Sequence, residues 1–234
     1  MALLPFISDE DLYRATRTLV DATFAAEKKV AANPYRNVID PFSALVDAAR
    51  QHIDIEAWME QEKSRQIQKA FSNALGDFHQ DILGAMPGWE NAGRGGSYDV
   101  KNEELQVIAE VKNKHNTMNA RSAISVYDNL QKHLDYSESR VKKAYLAEIV
   151  PKKPKPYELP FAPSERGTKR PARPDIVKTD GKSFYALASG DPDALRKLYD
   201  ALPEVLGEIL RVPAPGLSAS PVFKELFDRA YVIK

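Results

Sequence analysis

No cysteine occurs among the 234 residues. That excludes disulfides, thiolate zinc sites, iron–sulfur clusters and thiol nucleophiles. It suits a reducing compartment, and the cytoplasm is the expected location. No run of about 18 apolar residues is present, so no membrane span or membrane partner is expected. Residues 1–8 lack the basic start of a secretory signal. Histidine is scarce: His52, His79, His115 and His133 are scattered, without the close pairing that a histidine metal site needs. Net charge is missing as well, with 33 basic against 33 acidic side chains. A polyanionic partner would therefore have to meet a local basic patch. No P-loop, G-x-G-x-x-G or G-x-S-x-G pattern appears, which leaves no phosphate-cradling loop and no nucleophile elbow around Ser189.

What is there suits an ordinary globular chain, 43% hydrophobic and 28% charged. Ser8 followed by Asp9, Glu10 and Asp11 reads as a helix start, and Leu12, Ala15, Leu19, Ala26 and Val30 recur at helical spacing until Asn33-Pro34. Asp40-Pro41 opens a second helix carrying Phe42, Leu45, Val46 and Ala49. Asp54 caps a long third helix to about Gly84, with an apolar stripe of Ile67, Phe71, Ala74, Leu75, Phe78 and Ile82. Gly93-Arg94-Gly95-Gly96 reads as a flexible turn, after which the period drops to two. Strands are expected near 98–101, 105–112, 143–150 and 183–188, with a helix over 120–136. A helix after Asp191-Pro192 should be interrupted at Pro203, and Ser220-Pro221 opens the last one. Trp58 and Trp89 read as core or hinge residues. The order predicts an α/β (α+β) fold: a small mixed sheet flanked by helices, residues 54–234, behind a helical N-terminal region, 1–53, that serves dimerisation or DNA clasping.

The informative segment runs from Asp99 to Lys112. Period-two geometry places Glu110 and Lys112 on one face of a strand, about 6–7 Å apart, with apolar Leu105, Val107, Ala109 and Val111 on the other. A neighbouring strand about 4.8 Å away can bring Asp99 beside them. Two converging carboxylates make a hard oxygen site suited to Mg²⁺. Such an ion can polarise a phosphodiester, and a lysine beside it can orient water and offset charge in the transition state.

Asp99 followed by Ala109-Glu110-Val111-Lys112 resembles the PD-(D/E)XK nuclease signature, with Tyr98 where a proline is usual. The strings IAEVKNKHNT (108–117), FHQDILG (78–84), GWENAG (88–93) and DGKSFYALASG (180–190) are similar, in that order, to a group of type II restriction endonucleases that cut GGNCC-type sites. The resemblance spans roughly residues 55–210. It implies a restriction-endonuclease-like core and a Mg²⁺-dependent homodimer (one or two ions per centre) that cuts double-stranded DNA at a short palindrome and leaves 5′-phosphates. A cognate DNA methyltransferase in the same host is implied, without direct contact. By the motif match, Asp99 and Glu110 are metal ligands, the Val111 carbonyl is a further one, and Lys112 is the catalytic lysine. Relatives of this fold sometimes add a glutamate from a preceding helix. Glu62 is the choice for that role, because Glu60 should face the core.

Asn113, Lys114, His115, Asn116 and Thr117 follow the motif, dense in donors that can enter a groove or hold phosphates. The proline-rich segment 151–175 carries Lys152, Lys153, Lys155, Arg166, Lys169, Arg170 and Arg173 against three acids. It reads either as a solvated loop or as a strap that neutralises DNA phosphates. Two other functions fit the same residues: a repair or junction-resolving nuclease with this metal site, or a DNA-binding protein with a vestigial acid–lysine cluster.

Overall fold

A computed structural model describes residues 2–93, 95–136, 138–213 and 215–232 (for Pro215, the backbone alone). Arg94, in the expected glycine-rich turn, lies outside the described residues. The chain packs as two compact units, 1–16 with 78–234, and 17–77. These bounds fall inside two long helices, whereas composition drew a line near residue 54.

The helical unit is built from three helices, two of which it shares with the larger unit. Helix α1 (Asp9–Ala32) carries three acids in its first turn, where they complement the helix dipole. The Ser8 hydroxyl closes its start by accepting from the Asp11 amide at 3.1 Å. Helix α2 (Pro41–Gln51) is capped by Asp40, which accepts from the Phe42 amide and the Ser43 hydroxyl at 3.0 and 2.7 Å. These bonds hold the Asp40 carboxyl below its usual range. Helix α3 (Ile55–Gly84) starts on Asp54, whose side chain accepts from Ala57 N. Ala44, Ala48 and Trp58 form the small core, and the Trp58 indole donates to Asp47 at 3.0 Å. Three expectations are corrected here. Phe42, Leu45 and Val46 are 79%, 65% and 68% exposed, because α2 buries its alanine face. Phe71 is 38% exposed. Glu60 is exposed and paired with Lys63, not turned to the core.

The larger unit holds a six-stranded sheet in the order β1-β2-β3-β4-β8-β5. Its strands are β1 (Trp89–Asn91), β2 (Val100–Asn102), β3 (Val107–Lys114), β4 (Lys143–Val150), β5 (Glu158–Pro160) and β8 (Ile176–Asp180). β1, β2 and β3 are antiparallel, β3, β4 and β8 are parallel, and β5 runs antiparallel to β8. A separate hairpin, β6 (Ser164–Glu165) and β7 (Thr168–Lys169), completes the strands. Helix α4 (Ala120–Asp135) crosses between the parallel strands β3 and β4, the connection a parallel pair requires. Its Tyr127 and Leu130 pack with Ile108, Ala144, Leu146, Phe161 and Ile176. Full burial on both faces explains the near-continuous apolar run of β4.

Residues 183–188, expected as a strand, belong instead to helix α5 (Gly181–Ser189). The strand lies just before it, in β8. Asp180 makes the switch by capping the helix: its carboxylate accepts from the Ser183 amide at 3.0 Å and the Ser183 hydroxyl at 2.6 Å. Gly181, Phe184, Tyr185 and Ala188 then bury one helical face. A short apolar run does not reveal that period on its own. Gly181 is required by contact, since a Cβ there would sit 2.3 Å from the Ile149 carbonyl oxygen. Helix α6 (Ala194–Leu210) runs unbroken through Pro203, which is buried with Leu195, Leu198 and Val205. Packing on that face outweighs the lost hydrogen bond. α7 (Pro215–Ser218) and α8 (Pro221–Tyr231) close the chain. β1, β5, β6, β7 and β8 were not expected, and Leu105 lies exposed in the turn before β3. Trp58 and Trp89 are both buried. Among the described residues no helix is long and apolar enough to cross a membrane.

Candidate active site

The register of two strands assembles the site. Val100 pairs with Ala109, and Lys101 with Ile108. One residue before β2, the Asp99 amide donates to the Ala109 carbonyl at 2.9 Å, which sets Asp99 against the part of β3 just before Glu110. On β3, Glu110 and Lys112 share one face, because side chains alternate along a strand. Asp99 Oδ2 accepts from the Val111 amide at 2.7 Å. It takes over a ladder position where β2 has ended. In an antiparallel ladder a residue's N–H and C=O leave along the same strand edge. The Val111 carbonyl therefore lies on the Asp99 side. The approach to Asp99 is fixed by its neighbours: Ser97 and His133 are hydrogen-bonded, and Tyr98 meets the His133 ring edge-on at 5.0 Å. Burial and nearby Lys132 lower the His133 pKa.

Lys112 leaves the same face two residues on, and its ammonium donates to Glu110 Oε1 at 2.6 Å. Both side chains are partly buried, 26% and 15% exposed. Asp99, Glu110 and the Val111 carbonyl form an all-oxygen donor set of the kind that Mg²⁺ takes. Among the described residues no group of three or more histidine, aspartate or glutamate side chains gathers as a metal cage. Two carboxylates and a main-chain oxygen leave most of an octahedral shell to water and phosphate, which fits a substrate-sharing Mg²⁺ site.

Other expected site residues are more dispersed. Asn113 is 9% exposed, on the opposite face of β3 from Lys112. Lys114, Asn116 and Thr117 are exposed, and Thr117 donates to the Lys114 carbonyl at 2.9 Å. The His115 amide donates to Val150 at 3.0 Å, while its Nδ1 is buried without a partner. Lys152, Lys153 and Lys155 are exposed in the turn after β4. Arg166, at φ 49°, sits in the β6–β7 turn, and Lys169 is exposed on β7. Arg170 makes a two-pronged pair with Asp128, both contacts 2.7 Å. Arg173 bridges Asp175 and Asp135. These carboxylates strengthen the charge on both guanidiniums, and the two arginines fasten the segment to α4. Glu62, in the helical unit, accepts from Arg65 and Gln66 at 2.9 and 3.1 Å.

Sequence reasoning passed over Glu148, Tyr157 and Lys178. Glu148 is 5% exposed and sits in register beside Lys112. A single acid inside the apolar run KAYLAEIV was the signal that could have found it.

The Eco47II restriction endonuclease family matches residues 4–211. The chain is 44% identical over 243 residues to the type II restriction enzyme Eco47II of Escherichia coli, covering 99% of this chain and 100% of that protein. It is 28% identical over 235 residues to the type II restriction enzyme Sau96I of Staphylococcus aureus, covering 97% and 89%. With a family match across most of its length and a relative aligned from end to end, the chain belongs to the Eco47II restriction endonuclease family.

Proposed function

We propose that this restriction endonuclease hydrolyses both strands of duplex DNA at a short palindromic GGNCC-like site, with Mg²⁺ held by Asp99, Glu110 and the Val111 carbonyl, and leaves 5′-phosphate ends. The observation that carries the reading is a pair of bonds: Asp99 Oδ2 accepts from the amide of Val111, the residue between Glu110 and Lys112, and the Lys112 ammonium donates to Glu110. The bound cation would supply Lewis-acid polarisation of the phosphate and a lower pKa for the attacking water. The protein supplies the rest. Glu110 holds the Lys112 ammonium at the reacting face, where it can orient the water and stabilise charge building on the phosphoryl oxygens. Asp99 stands one residue before β2 and is held by the Val111 amide, so its carboxylate is positioned before DNA arrives. A palindrome is most simply met by a two-fold dimer, each copy contributing one centre, with double-stranded DNA as its partner. A methyltransferase of matching specificity would protect the host without touching this chain.

Digestion of a mixed plasmid pool with and without Mg²⁺, followed by sequencing of the ends, tests the reading. Discrete fragments ending at one palindrome, formed only with the cation, are expected. Cleavage confined to branched DNA would point to a junction-resolving enzyme instead. Duplex binding without cleavage by the wild-type protein would leave only a DNA-binding role.

A further inference from the structure

Glu148 is the one acid of β4, whose residues 144–149 are all buried. The parallel register sets it beside Lys112 on one side and Asp180 on the other, and it sets Leu146 beside Lys178. In-register neighbours leave a sheet on one face, so Glu110, Lys112, Glu148 and Lys178 all open on the reacting side. The Tyr157 hydroxyl donates to Glu148 Oε2 at 2.5 Å, and the Lys178 ammonium lies 3.6 Å from the same oxygen. That ammonium is also 5.7 Å from the Tyr157 ring. Tyr157 is tied at both ends of its backbone: its amide donates to Asp180 at 2.9 Å and its carbonyl accepts from Thr179 at 3.1 Å.

Tyr157 closes the turn that carries Lys152, Lys153 and Lys155. These residues and Lys178 line a cavity of about 440 Å³ with Glu148. Four lysines and one glutamate are among the residues that line it, and that carboxylate is already engaged by Tyr157 and Lys178. The surplus charge suits an anion. β8 lies two strands from β3, about 10 Å, a step or two along a DNA backbone whose successive phosphates lie further apart than the about 3.4 Å axial rise.

We propose that this cavity seats a DNA backbone phosphate one to two nucleotides from the cleaved bond, with Lys178 as its main cation and Glu148 as a positioning residue that holds Lys178 and Tyr157 in place. The proposal rests on the reading that Asp99, Glu110 and Lys112 cut duplex DNA. It gives the lysine turn a defined seat beside the reaction, so that engaging the flanking phosphate aligns the scissile one.

The test uses duplexes bearing one uncharged methylphosphonate linkage, moved stepwise away from the cut, with binding measured in Ca²⁺. For the wild type, one position one to two steps from the cut should weaken binding about tenfold, the scale of one charge-assisted hydrogen bond. In Lys178→Met the same linkage should cost almost nothing further, and the slope of log affinity against log salt should flatten by about 0.9. Glu148→Gln should keep most of the salt slope yet lose the position-specific effect, with KM raised more than kcat is lowered. A merely structural role for Glu148 would leave the methylphosphonate profile intact. If the buried Glu148→Gln variant fails to fold, the partly exposed Lys178→Met decides alone. Identical profiles and slopes for wild type and Lys178→Met overturn the proposal while leaving the nuclease reading standing. A wild-type protein that neither binds nor cuts duplex DNA overturns both.

Discussion

Asp99 has two separable duties, and two substitutions pull them apart. In Asp99→Ala the Val111 amide loses the acceptor that holds it at 2.7 Å. A partly buried donor left without a partner costs about 1–3 kcal/mol, or about 2–10 °C in Tm for a chain of this size. In Asp99→Asn the side-chain oxygen can still accept that bond, so Tm should stay within about 2 °C of wild type. The negative charge is gone from both, and with it one of the two carboxylates proposed to hold the cation. Cleavage should fall by at least about 10²-fold in each, the scale of a lost charge-stabilising group. Thermal unfolding by circular dichroism and single-turnover cleavage of an end-labelled duplex give the two readouts. The reasoning is refuted if Asp99→Asn cuts at near the wild-type rate. It is refuted equally if Asp99→Ala is as stable as Asp99→Asn, which would mean that the Val111 bond contributes nothing.

Lys112→Ala should bind duplex DNA nearly as tightly as wild type while single-turnover cleavage drops by orders of magnitude; near-normal cutting would remove the ammonium from the mechanism. Gly181→Ala should destabilise by about 1–3 kcal/mol, the range for overpacking, because its new Cβ would meet the Ile149 carbonyl at 2.3 Å; an unchanged denaturant midpoint would contradict the close packing of α5 on β4. His79 is bonded to the Tyr185 hydroxyl at 2.8 Å and is pushed down by burial from 6.5 to about 4. Between those values the unfolded chain takes up a proton that the folded one refuses, so stability should be full above about pH 6.5 and decline as pH falls toward about 4. His79→Gln should flatten that part of the Tm-against-pH curve, and an unchanged slope would show that His79 is not the group responsible.

The reacting face was legible in the sequence because it depends on short-range rules. The period-two pattern over Val107–Lys112 fixes which side Glu110 and Lys112 take, and the tight turn after Asn102 allows one short neighbour that carries Asp99. Helix starts at Ser8, Asp40, Asp54 and Ser220 were equally readable, since each cap is a local hydrogen bond. What escaped depends on packing. SFYALA is too short for its period to show, and its helix is set by the Asp180 cap and by Gly181 lying against β4. Pro203 looked like a break but is carried by the buried face of α6. Arg170 and Arg173 gave a charge count that fits a DNA strap, yet their guanidiniums are engaged by Asp128 and Asp135, far away in sequence on α4, and by Asp175 in the turn before β8. Glu148 gains its place only through the β3–β4 register, which no local pattern encodes.

The central claim is that Asp99 and Glu110 share one divalent cation. Anomalous diffraction from a crystal soaked in Mn²⁺ tests it directly. The account predicts a single strong peak within about 2.0–2.3 Å of one carboxylate oxygen from each residue, the range for a hard divalent ion on oxygen. A peak bound by only one of the two acids, or seated elsewhere in the chain, would contradict it.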